Sequence, residues 1–335
     1  MRDKLWRRSI SLEGLLWLLI IFSFWSWRAW RTKPLLPESV VRRGAVARLP
    51  SPIVEASGLC PSRVSPGKYW THNDSLDEAR AFQVTLEGAL LDIVKSEDVE
   101  NIDWEACATV TDDPYDGQHL LYIADSGNNF QWRDRLTLYG FQEPTAGRPL
   151  SLISHYSFSF PSTTLGRPPL VYSTGEGRCR DLEAIFWRRG ELFFISKCII
   201  SGPPTVWRLP RENTTLSDPY VLEKVAKLPI PPSDHPLLSR VTDSSFWSPR
   251  DLLAVLTYQH IWIYKANGSP RSPRFQALGR CPLSRGYRQV VQAEAISWVT
   301  PTRSSLQDRM QLAVLTERGD VYRYLYNLDT GECDK

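Results

Sequence analysis

The sequence predicts an all-β fold: a β-propeller of five blades, preceded by an N-terminal membrane-anchor helix. Three observations support this prediction. A short acidic phrase recurs five times, each copy is followed by a strand-like run, and a single apolar run lies near the N-terminus. The copies begin about 50 to 80 residues apart, and a strand-built period of this length is typical of a propeller. Because the innermost strand of each blade lines a common channel, the acidic side chains should meet on one axis.

The acidic phrases also place the blades. They read Glu55-Ala-Ser-Gly-Leu, Asp103-Trp-Glu-Ala-Cys, Asp181-Leu-Glu-Ala-Ile, Val241-Thr-Asp-Ser-Ser and Ala293-Glu-Ala-Ile-Ser. We therefore expect inner strands to begin near residues 55, 104, 182, 243 and 294. The last blade lacks an outermost strand, and residues 46–53 are expected to supply it and so close the ring. Residues 161–180, rich in Pro, Gly, Ser and Thr, are interpreted as a loop and leave room for a sixth blade.

The N-terminal region has the features of an anchor. We divide the chain into a basic tail (1–13), a transmembrane signal-anchor helix (14–30), a linker (31–45) and a propeller domain (46–330). The run GLLWLLIIFSFWSW is short for a spanning helix, but the flanking Trp and Arg residues suit a membrane interface. The alternatives are a cleaved signal peptide and a soluble protein with an apolar tail. No small-x-small cleavage site follows the run, so we favour a single-pass anchor with an extracytoplasmic propeller.

Charge and cysteine content restrict the function classes. The net charge is +3 and the basic residues are scattered, which argues against a nucleic-acid partner. Of the six cysteines, Cys60 and Cys107 occupy apolar inner-strand positions and are expected to be buried free thiols. Cys179 and Cys198 flank one expected hairpin and are the best candidates for a disulfide. No C-x-x-C occurs, which argues against a zinc ribbon or a thioredoxin-like site.

Several short motifs together indicate a family. They are Trp70-Thr-His-Asn-Asp-Ser, Asp103-Trp-Glu, Asp125-Ser-Gly-Asn-Asn, Glu143-Pro, Asp181-Leu-Glu-Ala and Ala293-Glu-Ala-Ile. Over roughly residues 50–320 this set resembles a family of uncharacterised secreted or membrane-linked bacterial β-propellers. Two departures are Asn128, where that family more often has Asp, and Asp243, where the other blades carry Glu. More distantly, the layout is similar to the gluconolactonase, paraoxonase and β-propeller phytase groups, which implies Ca²⁺ in or near the channel.

The candidate site residues are mostly acidic, since hard cations need several oxygen ligands. The candidate metal ligands are Glu55, Glu105, Asp125, Asn129, Glu183, Asp243 and Glu294. The candidate ligand-binding residues are Asn73, Asp74, Asp103, Arg133, Arg180 and Lys197. We expect glutamates from four blades to lie at one level, where a cation or the basic side chains would neutralise them. The alternative is structural: such carboxylates often only bond backbone N–H groups or a neighbouring blade.

Two functions follow from this site. The first is a binding or scaffold module whose axial site holds Ca²⁺ or a polar ligand, with a small polar molecule or a protein as partner in addition to the membrane. The second is a Ca²⁺-dependent hydrolase of lactone, ester or phosphate substrates, with His72 as the catalytic base. The sequence contains no G-x-S-x-G, H-E-x-x-H or Walker motif. An open pocket that His72 or a carboxylate faces would favour the hydrolase, whereas a plugged channel would favour the binding module.

Overall fold

The computed structural model describes residues 44–129, 132–161, 180–197, 202–212, 219–231, 236–283, 292–299 and 309–334. The expected anchor helix and most of the linker lie outside these ranges, as do Cys179 and Cys198. Across these ranges, no helix is both long enough and apolar enough to cross a membrane.

The described residues form an all-β structure of five sheets. The strands of the first half are β1 (Ala47–Arg48), β2 (Ala56–Pro61), β3 (Tyr69–Asn73), β4 (Arg80–Val84), β5 (Leu90–Lys95), β6 (Trp104–Asp113), β7 (Gly117–Asp125), β8 (Leu136–Gln142) and β9 (Ser151–Ser159). Those of the second half are β10 (Leu182–Arg188), β11 (Glu191–Ser196), β12 (Thr205–Arg208), β13 (Tyr220–Val221), β14 (Glu223–Lys227), β15 (Val241–Trp247), β16 (Leu252–Thr257), β17 (His260–Asn267), β18 (Arg274–Pro282), β19 (Ala293–Trp298), β20 (Arg309–Thr316), β21 (Asp320–Asn327) and β22 (Cys333–Asp334). Two short 3₁₀ helices span Pro236–Ser239 and Ser248–Arg250.

The sheets are the blades of a five-bladed propeller, which confirms the all-β propeller of the predicted fold; the predicted anchor helix lies outside the described residues. Blades 1 to 4 are β2-β3-β4-β5, β6-β7-β8-β9, β10-β11-β12-β14 and β15-β16-β17-β18, and β13 adds to β9 as a parallel strand. Blade 5 is β19-β20-β21, with β1 and β22 paired to β21. The inner strands β2, β6, β10, β15 and β19 each contact the next, and β19 contacts β2, which closes the ring around a central channel. A sixth blade is absent from the part of the chain that the structure describes.

The N-terminal strand completes the last blade. Ala47 pairs with Val321 and Arg48 with Asp320 in antiparallel register, in agreement with the prediction that residues 46–53 close the ring. Leu49 and Ile53 follow this strand and are buried in the apolar cluster between blades 5 and 1. The two ends of the propeller are therefore held by both backbone pairing and apolar packing.

The core lies between the blades. Five apolar clusters separate consecutive pairs of blades, so the middle strands are covered on both faces. This explains why runs such as Leu120–Ala124 and Leu192–Ile195 are continuously apolar and fully buried, whereas outer strand β14 is not buried at any residue.

Every inner strand contains a β-bulge near its first residues. In each, one residue has no partner on the second strand: Gly58, Glu105, Glu183, Thr242 and Glu294 in blades 1 to 5. A bulge re-aims a side chain, and in blades 2 to 5 it falls on the second residue of the inner strand; in blade 1 it falls one residue later, on a glycine. Glutamate occupies this position in three blades, while Glu55 and Asp243 do not occupy it in the other two.

Among the described residues, two disulfides link neighbouring elements. Cys60 and Cys107 form one between the inner strands of blades 1 and 2, where their Cα atoms are 5.9 Å apart. The expectation that these two residues are free thiols was therefore wrong. Cys281 of β18 and Cys333 of β22 form the second, which joins blades 4 and 5. The pairing depends on which strands are neighbours, and cysteine spacing does not report this.

Candidate functional site

Carboxyl groups from blades 1 to 3 converge at the end of the channel where the inner strands begin. Asp74, Asp103 and Glu105 each place a carboxylate oxygen within 4.8 Å of the others, and so do Glu105, Asp181 and Glu183. We call these five residues the axial acidic cluster. Glu105 belongs to both groups of three, so the cluster is continuous across the channel.

The bulges and the D-x-E pattern explain this convergence. Asp103 precedes Glu105 by two residues in blade 2, and Asp181 precedes Glu183 in the same way in blade 3. The glutamates are the bulged residues, and Asp74 directly follows β3 of blade 1. The sequence analysis placed Asp181 in a motif but did not predict it as a site residue. The spacing of Asp181 and Glu183 repeats that of Asp103 and Glu105, and this repeat could have predicted its role.

One half of the cluster carries its own cation. Lys197 places Nζ 2.7 Å from Glu183 Oε1, and both side chains are almost fully buried. Nζ also lies 5.9 Å from the centre of the Tyr258 ring, whose hydroxyl donates a 3.0 Å hydrogen bond to Glu294 Oε1. Burial by itself lowers the pKa of Lys197, but the charge of Glu183 and its neighbours raises that pKa well above its ordinary value, so the ammonium group stays charged.

Several carboxyl groups of the cluster have raised pKa values. Burial, followed by the charges of Asp74, Asp181 and Glu183, raises the pKa of Asp103 to about 8. Burial and the charge of Glu183 likewise raise the pKa of Asp181 to about 8, with Lys197 opposing the shift. The pKa of Glu105 is raised well above its ordinary value, first by burial and then by Glu183. Without a further cation, the cluster therefore retains protons at neutral pH.

A loop of blade 2 lies against the cluster without a side chain in the way. A Cβ atom on Gly127 would collide with Asp103 Oδ2 and Glu105 Oε1, so glycine is the residue that permits this approach. The next residue, Asn128, donates its backbone N–H to Asp181 Oδ1 at 2.7 Å. Asp181 Oδ2 is buried and has no hydrogen-bond partner among the described residues.

Asp125 and Arg133 build this loop. The Asp125 carboxylate accepts hydrogen bonds from the backbone N–H groups of Ile102 and Asp103, both at 3.2 Å. It also forms an ion pair with Arg133 at 2.6 Å, and Arg133 donates to the carbonyl oxygen of Gly127. Of the basic residues expected to neutralise the cluster, Arg133 is thus directed to Asp125, and Lys197 lies against Glu183.

Asp243 and Asn73 bond to backbone groups. Asp243 is buried, and its carboxylate accepts hydrogen bonds from Ser244 N at 2.7 Å and from Ile296 N in blade 5 at 2.8 Å. Asn73 uses its side-chain amide to hold the segment that enters blade 1. It bonds the backbone of Pro52, Val54 and Glu55 and the carboxylate of Asp77. For these two residues the geometry matches the structural alternative rather than a ligand site.

The remaining candidates lie outside the two groups of converging carboxyls. His72 is only 1% exposed, donates from Nδ1 to the carbonyl oxygen of Asn73 at 3.1 Å, and packs edge-on against Trp104. Burial lowers the pKa of His72 to about 4, so the ring is neutral at pH 7. Glu294 is buried and accepts a hydrogen bond from Tyr258. Three further candidates are buried or half-buried and belong to neither group: Glu55, Asn129 and Arg180.

Comparison with known proteins identifies no family. No family model matches the chain, and no curated protein matches it. Similar solved structures include Sqt1 from Saccharomyces cerevisiae, with 10% identity over 87% of each chain and a TM-score of 0.39. The WD40 domain of Toxoplasma gondii coronin has 10% identity over 86% of this chain and 60% of that chain, with a TM-score of 0.37. A protein of unknown function from Bacteroides caccae has 10% identity over 83% and 79%, with a TM-score of 0.40. These likenesses are too distant to carry an argument about function.

Proposed function

We propose that this protein is a non-catalytic binding module whose axial acidic cluster takes a divalent cation, with Ca²⁺ as the first candidate. The observation that carries the proposal is the convergence of five carboxyl groups in two overlapping groups of three. Carboxylate oxygens are the ligands that Ca²⁺ prefers. A buried group of like charges is unfavourable unless protons or cations neutralise it.

The charge distribution favours one position within the cluster. Lys197 lies against Glu183, on the blade 3 side. Asp103 and Glu105 form no ion pair with another described residue, and Asp103 and Asp74 are the half-exposed members of the cluster. Asp74, Asp103 and Glu105 would thus hold the cation, and Asp181 and Glu183 would lie behind it. Binding would displace the protons that Asp103 and Glu105 retain at neutral pH. Oxygen atoms of a small polar ligand or a protein partner could complete its coordination.

The setting of the site favours binding over hydrolysis. A hydrolase would need a base that faces an open pocket beside the carboxyls, and His72 is instead buried against Trp104.

Two disulfides suit an oxidising compartment, so they support placing the propeller outside the cytoplasm. The single-pass anchor at residues 14–30 belongs to the same proposal and can be tested by carbonate extraction of membranes.

Thermal unfolding of the purified full-length protein tests the cation site. After treatment with chelator, addition of Ca²⁺ at a hundredfold excess over its dissociation constant should stabilise the fold by about 2.7 kcal/mol. Asp103→Asn should weaken this gain. Asp112→Asn, at an exposed carboxylate further along β6, is the matched control and should leave it intact. An unfolding temperature that does not change with Ca²⁺, Mg²⁺ or chelator would show that the cluster stabilises the fold without binding a cation.

A further inference from the structure

A second site lies at the opposite end of the inner strands. There the channel widens into a cavity of about 290 Å³, to which all five inner strands contribute residues. We call it the aromatic cavity, because three partly exposed aromatic residues line it, Trp187, Phe246 and Trp247, with the almost fully buried Phe186 and Trp298 packed behind them. Trp187 follows Glu183 by four residues along β10, which places it about 13 Å away at 3.3 Å per residue. The aromatic cavity is therefore separate from the axial acidic cluster.

The rings of the aromatic cavity are held firmly in place. Phe246 stacks on Phe186 at 5.7 Å between ring centres, and Phe186 stacks on Phe193 at 5.0 Å. Trp298 donates its indole N–H to the carbonyl oxygen of Ser245 at 3.0 Å. A rigid aromatic wall binds an apolar body with little loss of side-chain entropy, so the cavity is preorganised for a flat or compact apolar group.

Three of the four hydroxyl groups that line the cavity, all but that of Ser248, are already used within the protein. Thr109 donates to the carbonyl oxygen of Pro61 at 2.6 Å, and Ser244 donates to that of Ile185 at 3.3 Å. Ser245 Oγ accepts the backbone N–H of Trp298 at 3.1 Å. These three groups offer little to a polar ligand, so the apolar surface, the Ser248 hydroxyl and any charged group decide what binds.

Arg63 is the charged residue of the aromatic cavity; no other described residue that lines it carries a charge. Its backbone N–H is held by the buried carboxylate of Glu143 at 3.0 and 3.1 Å, and Glu143 also accepts hydrogen bonds from Ser62 Oγ and Trp70 Nε1. The Arg63 guanidinium forms no ion pair or hydrogen bond with any described residue. Blade 2 therefore fixes the backbone of Arg63, and the exposed guanidinium of this residue is available to an anion.

We propose that the aromatic cavity binds a small aromatic carboxylate, with the carboxylate on Arg63 and the ring among the aromatic side chains. Arginine is suited to bind a carboxylate through two parallel hydrogen bonds. A volume of about 290 Å³ lies just below the usual range for ligand pockets, roughly 300 to 1,000 Å³, and so fits a single-ring ligand. This inference concerns a different site from the proposed cation site and does not depend on it.

Calorimetric titration of the full-length protein tests the proposal, with phenylacetate as the probe and neutral phenylacetamide as its isostere. Phenylacetate should bind at one site per chain, and phenylacetamide about tenfold more weakly, because the neutral amide cannot form a charge-assisted pair with the guanidinium. Arg63→Gln should weaken phenylacetate about tenfold and leave phenylacetamide unchanged. Arg148→Gln, at an exposed arginine outside the cavity, is the matched control and should change neither.

Further measurements separate the two sites and guard against misfolding. Phenylacetate binding should be the same with Ca²⁺ and with chelator, and Trp247→Ala should weaken both probes because it removes part of the wall. Circular dichroism of each variant checks that the fold is retained. Three results would each overturn the proposal: no saturable binding of phenylacetate, equal affinity for the acid and the amide, or an Arg63→Gln variant with unchanged preference for the acid.

Discussion

Lys197 Nζ lies 2.7 Å from Glu183 Oε1, and this ion pair is buried where the channel of the propeller begins. Lys197 follows the second strand of blade 3, and Glu183 is the bulged residue of the first. The two side chains come from one hairpin, so blade 3 supplies both a carboxylate and its counter-charge. The same hairpin also brings Asp181 to the cluster, where the backbone N–H of Lys197 bonds its carbonyl oxygen.

Removal of Lys197 should be costly. In Lys197→Met, Glu183 would be left buried without its ion pair, and the free energy of unfolding should fall by about 3–5 kcal/mol at neutral pH. Urea denaturation measures this. The control is Lys95→Met, which removes an exposed pair with Glu78 and should change the stability little, because solvent screens this pair. Lys197→Met/Glu183→Gln should regain part of the loss, and similar losses for the two single lysine variants would contradict the prediction.

Stability should depend on pH through the carboxyl cluster. Asp103 and Asp181 have pKa values of about 8 in the folded protein, against about 3.9 in an unfolded chain. The folded state therefore binds more protons, and its stability falls as the pH rises towards 8. His72 affects stability in the opposite direction. Its pKa is about 4 in the folded protein and about 6.5 in an unfolded chain, so its contribution to stability is lost only as the pH falls from 6.5 through 4.

The window from pH 6.5 to 8 thus isolates the carboxyl groups. Urea denaturation in chelator should give a free energy of unfolding that declines across this window. Asp103→Asn should flatten the decline, because it removes one of the titrating groups. A stability that is constant or rises between pH 6.5 and 8 in the metal-free protein would show that the cluster is not protonated as described.

Gly127 should not tolerate a side chain. In Gly127→Ala, the new Cβ would collide with Asp103 Oδ2 and Glu105 Oε1, and the loop would have to move away from the cluster. We expect a loss of about 1–3 kcal/mol in thermal unfolding, typical of overpacking. Gly202→Ala is the control, since a Cβ there meets no atom within 4 Å. If both variants unfold at the same temperature, the loop does not lie against the cluster.

Closure of the ring should depend on Leu49. This side chain is 3% exposed and packs between blades 5 and 1 just after the closing strand. Leu49→Ala should lower the free energy of unfolding by about 2–5 kcal/mol, as for other buried leucines. Val46→Ala, at a side chain that is 57% exposed, is the control and should have little effect. Equal and small changes in urea denaturation would mean that the N-terminal segment does not hold the ring closed.

The acidic phrases and the strand-like runs that follow them were sufficient to predict five blades and the approximate starts of the inner strands. They also led to Glu105 and Glu183, because a repeated D-x-E places equivalent residues in equivalent blades. This information is local: apolar runs, turn residues and a repeating phrase are properties of short segments. The last blade lacked a predicted outermost strand, which would leave the edge of its sheet unpaired. This indicated that residues before blade 1 would pair with it.

The tertiary structure decided what depends on register and on neighbouring strands. The bulge places Thr242 where the phrase suggested Asp243, and a shift of one residue turns a strand's side chain to the other face. Asp243 therefore bonds the backbone of blade 5 rather than joining the acidic cluster. The Cys60–Cys107 disulfide and the aromatic cavity likewise arise from residues that are distant in sequence. Sequence periodicity determines which segments become strands, but only the packing of blades around the ring determines which side chains meet.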